Sequence, residues 1–243
     1  MEKIENSLKN LFIFQDIDQV FNNNKIKISN KIIEDINYII NNKVEEQEKL
    51  INILIERILI NQKNVTKLDE MIFDKLQSTK IIYIKKKINI AFNNNIKNIK
   101  LLGSLKLNYK PLQQLLIKQN FQEADKFTQN CLCQLANLEQ KHKRNWLYFT
   151  DIALIPKNDL LMIDLLWQIY SNSKFGFIAQ KKIWMKNNQN WDLFLEKIGW
   201  IENKIPKRYP KEFQWTIDAP KGHLPLFNQL RGTQVLYHLF KYI

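Results

Sequence analysis

The first hundred residues contain neither glycine nor proline; the first of either is Gly103. Nothing before that point punctuates a helix strongly, so breaks must come from polar runs such as Asn22-Asn23-Asn24-Lys25. Cysteine is as scarce, with Cys131 and Cys133 alone. Two positions apart on a helix their side chains diverge, which excludes a bridge between them and half of a zinc site, and leaves an incidental structural role. The histidines, His142, His223 and His238, are too far apart for an H-x-x-x-H metal pair, and the five glycines are too isolated for a phosphate loop. Even the greasiest stretches, 50–60 and 160–167, are interrupted by Glu56, Arg57 and Asp164, so no membrane span is expected. The opening residues, Met1-Glu2-Lys3-Ile4-Glu5-Asn6, resemble neither a secretory signal nor a presequence, and the protein is expected to work where it is made.

What is present divides the chain in two. Residues 101–243 hold 21 of the 28 aromatics and all six tryptophans, whereas residues 1–100 hold 7 aromatics and are rich in isoleucine, asparagine and lysine. Charge follows the same line. The first part has 17 basic and 13 acidic side chains, net +4; the second has 20 and 11, net +9. The aromatic half is also the basic half, which favours an anionic partner. With 45% apolar and 25% charged residues the chain can bury a core in each part. The expected division is 1–102, a helical bundle, and 103–243, a core domain.

Isoleucines 32, 33, 36, 39 and 40 recur at helical spacing, as do Leu50, Ile51, Leu54, Ile55, Ile58 and Leu59. Thr66-Lys67-Leu68-Asp69 reads as a cap opening a third helix. Ile81-Ile82-Tyr83-Ile84 is β-branched, yet an isolated strand among helices would leave its backbone groups unpaired, so helix is expected there too. Beyond Gly103, Pro111 sits well in a helix's first turn, with Asn120 ending that helix. Another helix runs through Ala124 to Leu138, and Pro156 opens one carrying Leu160, Ile163, Leu166 and Trp167. A non-periodic stretch from about 199 to 232 precedes a last helix, 233–242. The fold class is all-α.

Catalytic patterns are absent: Asp159 and Asp164 are five apart and do not face one another, and Asp159 suits a helix N-terminus. His223, in Gly222-His223-Leu224-Pro225, is expected to make a structural hydrogen bond. What remains is a surface for a flat, greasy anion. Phe175-Gly176-Phe177, with Trp167 and Trp184, is either core or the wall of a cavity, and Lys174, Lys181, Lys182 and Arg231 supply cations nearby in sequence.

At these residues the chain resembles the Genomes Uncoupled Four family of porphyrin-binding regulators of magnesium chelatase. The matching pieces include Tyr109-Lys110-Pro111-Leu112, Glu123-Ala124-Asp125 with Thr128, Asp159-Leu160, Ile163-Asp164, Tyr170-Ser171-Asn172, Phe175-Gly176-Phe177, Gly199-Trp200 and Ala219 through Pro225. They span residues 105–243. The resemblance implies an all-helical core with a concave apolar palm for protoporphyrin IX and Mg-protoporphyrin IX, preceded by a separate helical bundle. With the catalytic and metal patterns missing, no catalysis, no metal site and no covalently bound cofactor are expected. The resemblance also implies stimulation of magnesium chelatase through that enzyme's large porphyrin-binding subunit, in chlorophyll biosynthesis.

Location in the plastid stroma follows from similarity to plastid-encoded algal forms, with peripheral contact to a plastid membrane left open. The porphyrin-binding residues expected on this basis are Trp167, Tyr170, Lys174, Phe175, Phe177, Trp184, Trp215, Leu224, Phe227 and Arg231, the last pairing with a propionate. Leu161, Met162 and Gln168 depart from the family pattern, and the tail after Pro225 is short, so the loop covering the palm is expected to be reduced. The alternative reading is a basic helical nucleic-acid-binding protein, for which stacking rings and lysines are equally suitable.

Overall fold

The computed structural model describes residues 13–21, 28–93, 104–137, 144–226 and 233–243. Among these residues the regular structure is helical apart from one two-stranded hairpin. The chain divides into two compact units, Met1–Lys100 and Leu101–Ile243.

In the first unit, helical residues 13–21 (α1) are followed by α2 (Asn30–Asn42), α3 (Val44–Leu54), α4 (Lys67–Gln77) and α5 (Ile82–Phe92). The isoleucine stripes bury as their spacing requires: Ile32, Ile36 and Ile39 on α2, Leu50, Ile51 and Leu54 on α3. Each fully buried side chain of this kind contributes about 1.5–3 kcal/mol. The α3 path continues into a π-helical turn, Ile55–Ile60. Thr66 and Asp69 form the expected capping box: Asp69 N donates to Thr66 Oγ1 at 3.3 Å and Thr66 N to Asp69 Oδ2 at 2.8 Å. Arg57 pairs with the same carboxylate at 3.1 Å and lies 3.9 Å over the Phe21 ring. The β-branched segment is helical because Ile84, Ile88 and Ala91 share one buried face.

The second unit opens with α6 (Lys110–Ile117) and α7 (Phe121–Leu135) as a helical hairpin, Pro111 in the first turn of α6. Asn120 opens α7 where the sequence suggested it would only close α6: its Oδ1 accepts from Glu123 N at 3.5 Å. A 3-10 turn, Phe149–Leu154, precedes α8 (Lys157–Tyr170), α9 (Phe177–Lys186) and α10 (Trp191–Lys197). A hairpin, β1 (Ile201–Glu202) and β2 (Ile205–Pro206), pairs Ile201 with Pro206. Last comes α11 (Thr233–Tyr242), which buries Val235, Leu236, Leu239 and Phe240. Among the described residues no helix is long and apolar enough to cross a membrane.

Aromatic rings fill this unit in two clusters. Phe121 stacks on Trp167 at 6.0 Å and meets Phe175 edge-on at 5.4 Å; Trp184 lies 5.1 Å from Trp191 and 5.5 Å from Phe240. Buried polar groups fix the helices around them. Trp167 Nε1 donates to Thr128 Oγ1 at 3.0 Å, and Asp159 Oδ1 accepts from Lys106 N at 2.9 Å and Tyr109 Oη at 2.6 Å. Asp159 is thus a tie between α8 and the chain before α6, beyond the helix-end role expected of it. Cys131 and Cys133 are buried on α7 and are not joined by a disulfide.

Candidate functional site

The α8–α9 turn is built around a glycine. Gly176 takes φ +112°, and a Cβ there would lie 2.7 Å from Asp164 Oδ1, so a side chain would clash as well as strain the backbone. The close approach lets Asp164 cap α9: Oδ1 accepts from Ile178 N at 2.9 Å, while Oδ2 accepts from Gln168 Nε2. Burial pushes the Asp164 carboxyl up to about 6, against the opposing pull of these hydrogen bonds.

This turn carries the densest run of rings in the sequence, and it carries them inward. Trp167, Phe175, Phe177 and Leu224 have no exposed surface and Trp184 has 4%. Where the resemblance has these five side chains lining the palm, the structure buries them: Trp167 and Phe175 pack with Phe121, and Trp184 packs with Trp191 and Phe240. Tyr170 is half-buried, its hydroxyl accepting from Gln113 Nε2 at 2.9 Å. Lys174 Nζ donates to Ile217 O at 2.7 Å, so it ties down a loop. Trp215 is half-exposed, donates from Nε1 to Pro210 O at 3.0 Å and meets Tyr209 edge-on at 5.9 Å. Phe227 and Arg231 lie outside the described residues.

Among the described residues of the second unit, open aromatic surface lies on two loops beside α7. In the first, Tyr148 is 51% and Phe149 46% exposed. An ion pair holds them out: Arg144 Nη2 lies 2.8 Å from Asp151, whose Oδ2 accepts from Tyr148 N at 2.7 Å. The guanidinium sits 4.4 Å over Tyr148 and 5.1 Å over Trp146. Gln129 Nε2 donates to Asn145 O at 3.4 Å, anchoring this loop on α7.

The second loop, 207–217, presents Tyr209 with 38% exposure, half-exposed Trp215 and the exposed cations Arg208 and Lys211. Burial, then the Asp125 and Glu123 carboxylates of α7, raise the Tyr209 phenol, which places this ring beside α7 as well. Lys126, exposed on the same stretch of α7, pairs with Glu123 at 2.7 Å. Composition could have pointed to Tyr148, Phe149 and Tyr209, since they lie in stretches without helical periodicity, where a ring has no apolar face to join.

The 222–226 segment supports the second loop. His223 Nδ1 lies 2.6 Å from Ile198 O and must donate, while Nε2 accepts from Gln214 N at 3.1 Å. Both bonds require the neutral ring, and burial holds its pKa below the ordinary value. Gln180 Nε2 donates to Gly222 O at 3.0 Å and Pro225 O at 2.8 Å. Clefts of about 470 Å³, bordered by Lys106, Gln134 and Leu154, and about 460 Å³, bordered by Ile205, Lys207 and Glu212, touch none of the ten expected residues. Among the described residues no group of three or more His, Cys, Asp or Glu could hold a metal ion.

Comparison with known proteins agrees with this arrangement of helices. A family model described as GUN4-like matches residues 103–242. A relative named ycf53 from Pyropia yezoensis is 43% identical over 217 residues, 89% of each chain. The chloroplastic tetrapyrrole-binding protein of Arabidopsis thaliana is 37% identical over 134 residues, 51% of this chain and 50% of that one. The structure of GUN4 from Chlamydomonas reinhardtii superposes with a TM-score of 0.51 at 37% identity, covering 57% of this chain and 90% of that one. A family match over more than half of the chain, and a relative 43% identical across nearly all of it, establish that the chain belongs to the GUN4-like family.

Proposed function

We propose that the protein binds protoporphyrin IX and Mg-protoporphyrin IX on the aromatic face flanking α7 and, so loaded, stimulates magnesium chelatase through its large porphyrin-binding subunit. Plastid stroma is the proposed location. Family membership supports the ligand class, and so does the Arabidopsis relative named a chloroplastic tetrapyrrole-binding protein. The observation that carries the reading is the exposure of Tyr148, Phe149 and Tyr209, with half-exposed Trp146 and Trp215, on two loops beside one helix.

That surface fits the chemistry of a porphyrin. Burying roughly 300 Å² of the apolar plate gives on the order of 7 kcal/mol at about 25 cal/mol per Å². Ordering and association costs leave about micromolar affinity. Lys126, Arg208 and Lys211 are exposed cations for the propionates, and the Lys126–Glu123 pair is too open to resist exchange of partners. Phe227 and Arg231 belong to the same proposal as residues of the segment that follows Leu226. The role assigned here is binding and regulation, without catalysis.

A visible-range titration of the full chain with deuteroporphyrin, run beside one with a single-stranded oligonucleotide, tests the ligand. Saturable spectral change with porphyrin and none with oligonucleotide is expected. Salt-sensitive oligonucleotide binding without any porphyrin response would replace this reading with the nucleic-acid one. Chelatase assays with and without the loaded protein test the second half.

A further inference from the structure

Asp125 is an acid with an unusual setting. It lies on α7, 8% exposed as a residue, and its Oδ1 accepts from Leu226 N at 2.7 Å, across 101 positions of sequence. Among the described residues no cation pairs with it. Lys126 is next in sequence, but its ammonium is held by Glu123 at 2.7 Å. Tyr209, from the 207–217 loop, is the other ionisable group that senses this carboxyl.

Leu226 differs from the rest of its segment in what holds it. Leu224 O accepts from Gly176 N at 3.0 Å, and Gly222 O and Pro225 O accept from Gln180, so these three carbonyls are tied to the start of α9 by groups that do not titrate, while the His223 ring, held neutral by burial, bonds Ile198 O and Gln214 N. Leu226 N is tied to α7 by a group that does. A buried carboxyl without a cationic partner resists ionisation, whereas the same carboxyl in water ionises readily. Any conformation that lifts Leu226 and hydrates Asp125 is therefore favoured as pH rises.

We propose that Asp125 is a proton-controlled latch on the proposed tetrapyrrole site, closed with Leu226 seated on α7 when the carboxyl is protonated and loosened when it ionises. The ligand part rests on the function proposed above. The site consequence follows from position: Tyr209, an exposed ring of the proposed site, is beside the latch. An uncovered carboxylate there also opposes a dianionic ligand, so ionisation should hasten ligand loss. Burial pushes this carboxyl up to about 7, with the Leu226 N–H and then Lys126 pulling the other way.

The sign is fixed by the two states. With the closed form titrating near 7 and the open form in the ordinary carboxyl range, the open fraction climbs as pH rises from that range and levels off above about 7.5. Between pH 6 and pH 8 the climb is about tenfold.

The test is amide hydrogen exchange of Leu226 in the unliganded full chain, corrected for the chemical exchange rate, in wild type and Asp125→Asn. The variant keeps an oxygen for Leu226 N but cannot ionise. Wild type should lose about tenfold in protection from pH 6 to pH 8 and the variant should show no such step. Titration of the Asp125 carboxyl by carbon NMR in wild type should find a midpoint near 7. Deuteroporphyrin dissociation should accelerate over the same interval in wild type relative to the variant. Equal pH dependence of exchange in both proteins, or a midpoint in the ordinary carboxyl range, overturns the latch whether or not porphyrin binds. A step in exchange that Asp125→Asn abolishes supports the latch even where deuteroporphyrin fails to bind, in which case the ligand reading alone falls.

Discussion

Two sets of aromatic rings in the same unit differ in everything but chemistry. Phe121, Trp167, Phe175 and Phe177 lie in helices or tight turns and are sealed from solvent; Tyr148, Phe149 and Tyr209 lie on loops and keep 38–51% of their surface. In the first set Phe121, Trp167 and Phe175 pack on one another, and the second is held out by polar staples: Arg144–Asp151 under one loop, His223 and Lys174 under the other. Under the proposed function, ring density marks the binding domain, while polar support marks the face offered to the ligand. If this division is right, truncating the two sets must separate stability from affinity.

The largest effect is expected in the buried set. Phe177→Ala should cost about 3–5 kcal/mol in a denaturant melt, the usual penalty for a buried phenylalanine, with affinity per folded molecule unchanged. Gly176→Ala comes next at about 1–3 kcal/mol, because it adds a Cβ against Asp164 at a backbone angle that side chains avoid. Thermal melting reads it, and an unchanged melting temperature would show that the turn tolerates a side chain.

Asp164 supplies a pH test of the same layer. Its folded pKa, about 6, stands above the ordinary carboxylate value, so the native state holds the extra proton between roughly 4 and 6 and loses stability as pH rises through that window. Relative to Asp164→Asn, wild type should lose about 1–3 kcal/mol between pH 4 and pH 6.5 in matched urea melts. A difference that stays constant with pH would contradict burial as the cause. The smallest stability effect belongs to the exposed set. Tyr148→Ser should move stability by no more than about 0.5 kcal/mol. Its deuteroporphyrin affinity should fall by about 1 kcal/mol, roughly fivefold.

Much of the fold could be read in advance, for identifiable reasons. Isoleucine stripes such as Ile32, Ile36 and Ile39 depend only on helical period, and Thr66–Asp69 and Pro111 act within one turn of chain. The 3-10 turn at Phe149–Leu154 was hidden because part of its support comes from α11, where His238 lies 4.9 Å from Phe149 and Tyr242 Oη donates to Ile155 O at 2.9 Å. The tie made by Asp159 was hidden for the same reason, since its partners come from 50 or more positions earlier. The ring-dense stretch from Trp167 to Trp184 lies in the unit that the family model matches, but its burial could not be read from composition. A ring on a cavity wall and a ring in a core have the same composition, and only tertiary packing distinguishes them.

The most direct measurement is a deuteroporphyrin titration of three full-length proteins: wild type, the double variant Tyr148→Ser with Tyr209→Ser, and Phe177→Leu, each corrected for its folded fraction. Removing both exposed rings in the double variant should weaken binding by about 2 kcal/mol, roughly thirtyfold, at an essentially unchanged melting temperature. Phe177→Leu should lower the melting temperature and leave affinity where it was. The reverse pattern, full affinity in the double variant and weakened affinity per folded molecule in Phe177→Leu, would place the ligand in the ring layer and contradict the division between the two sets.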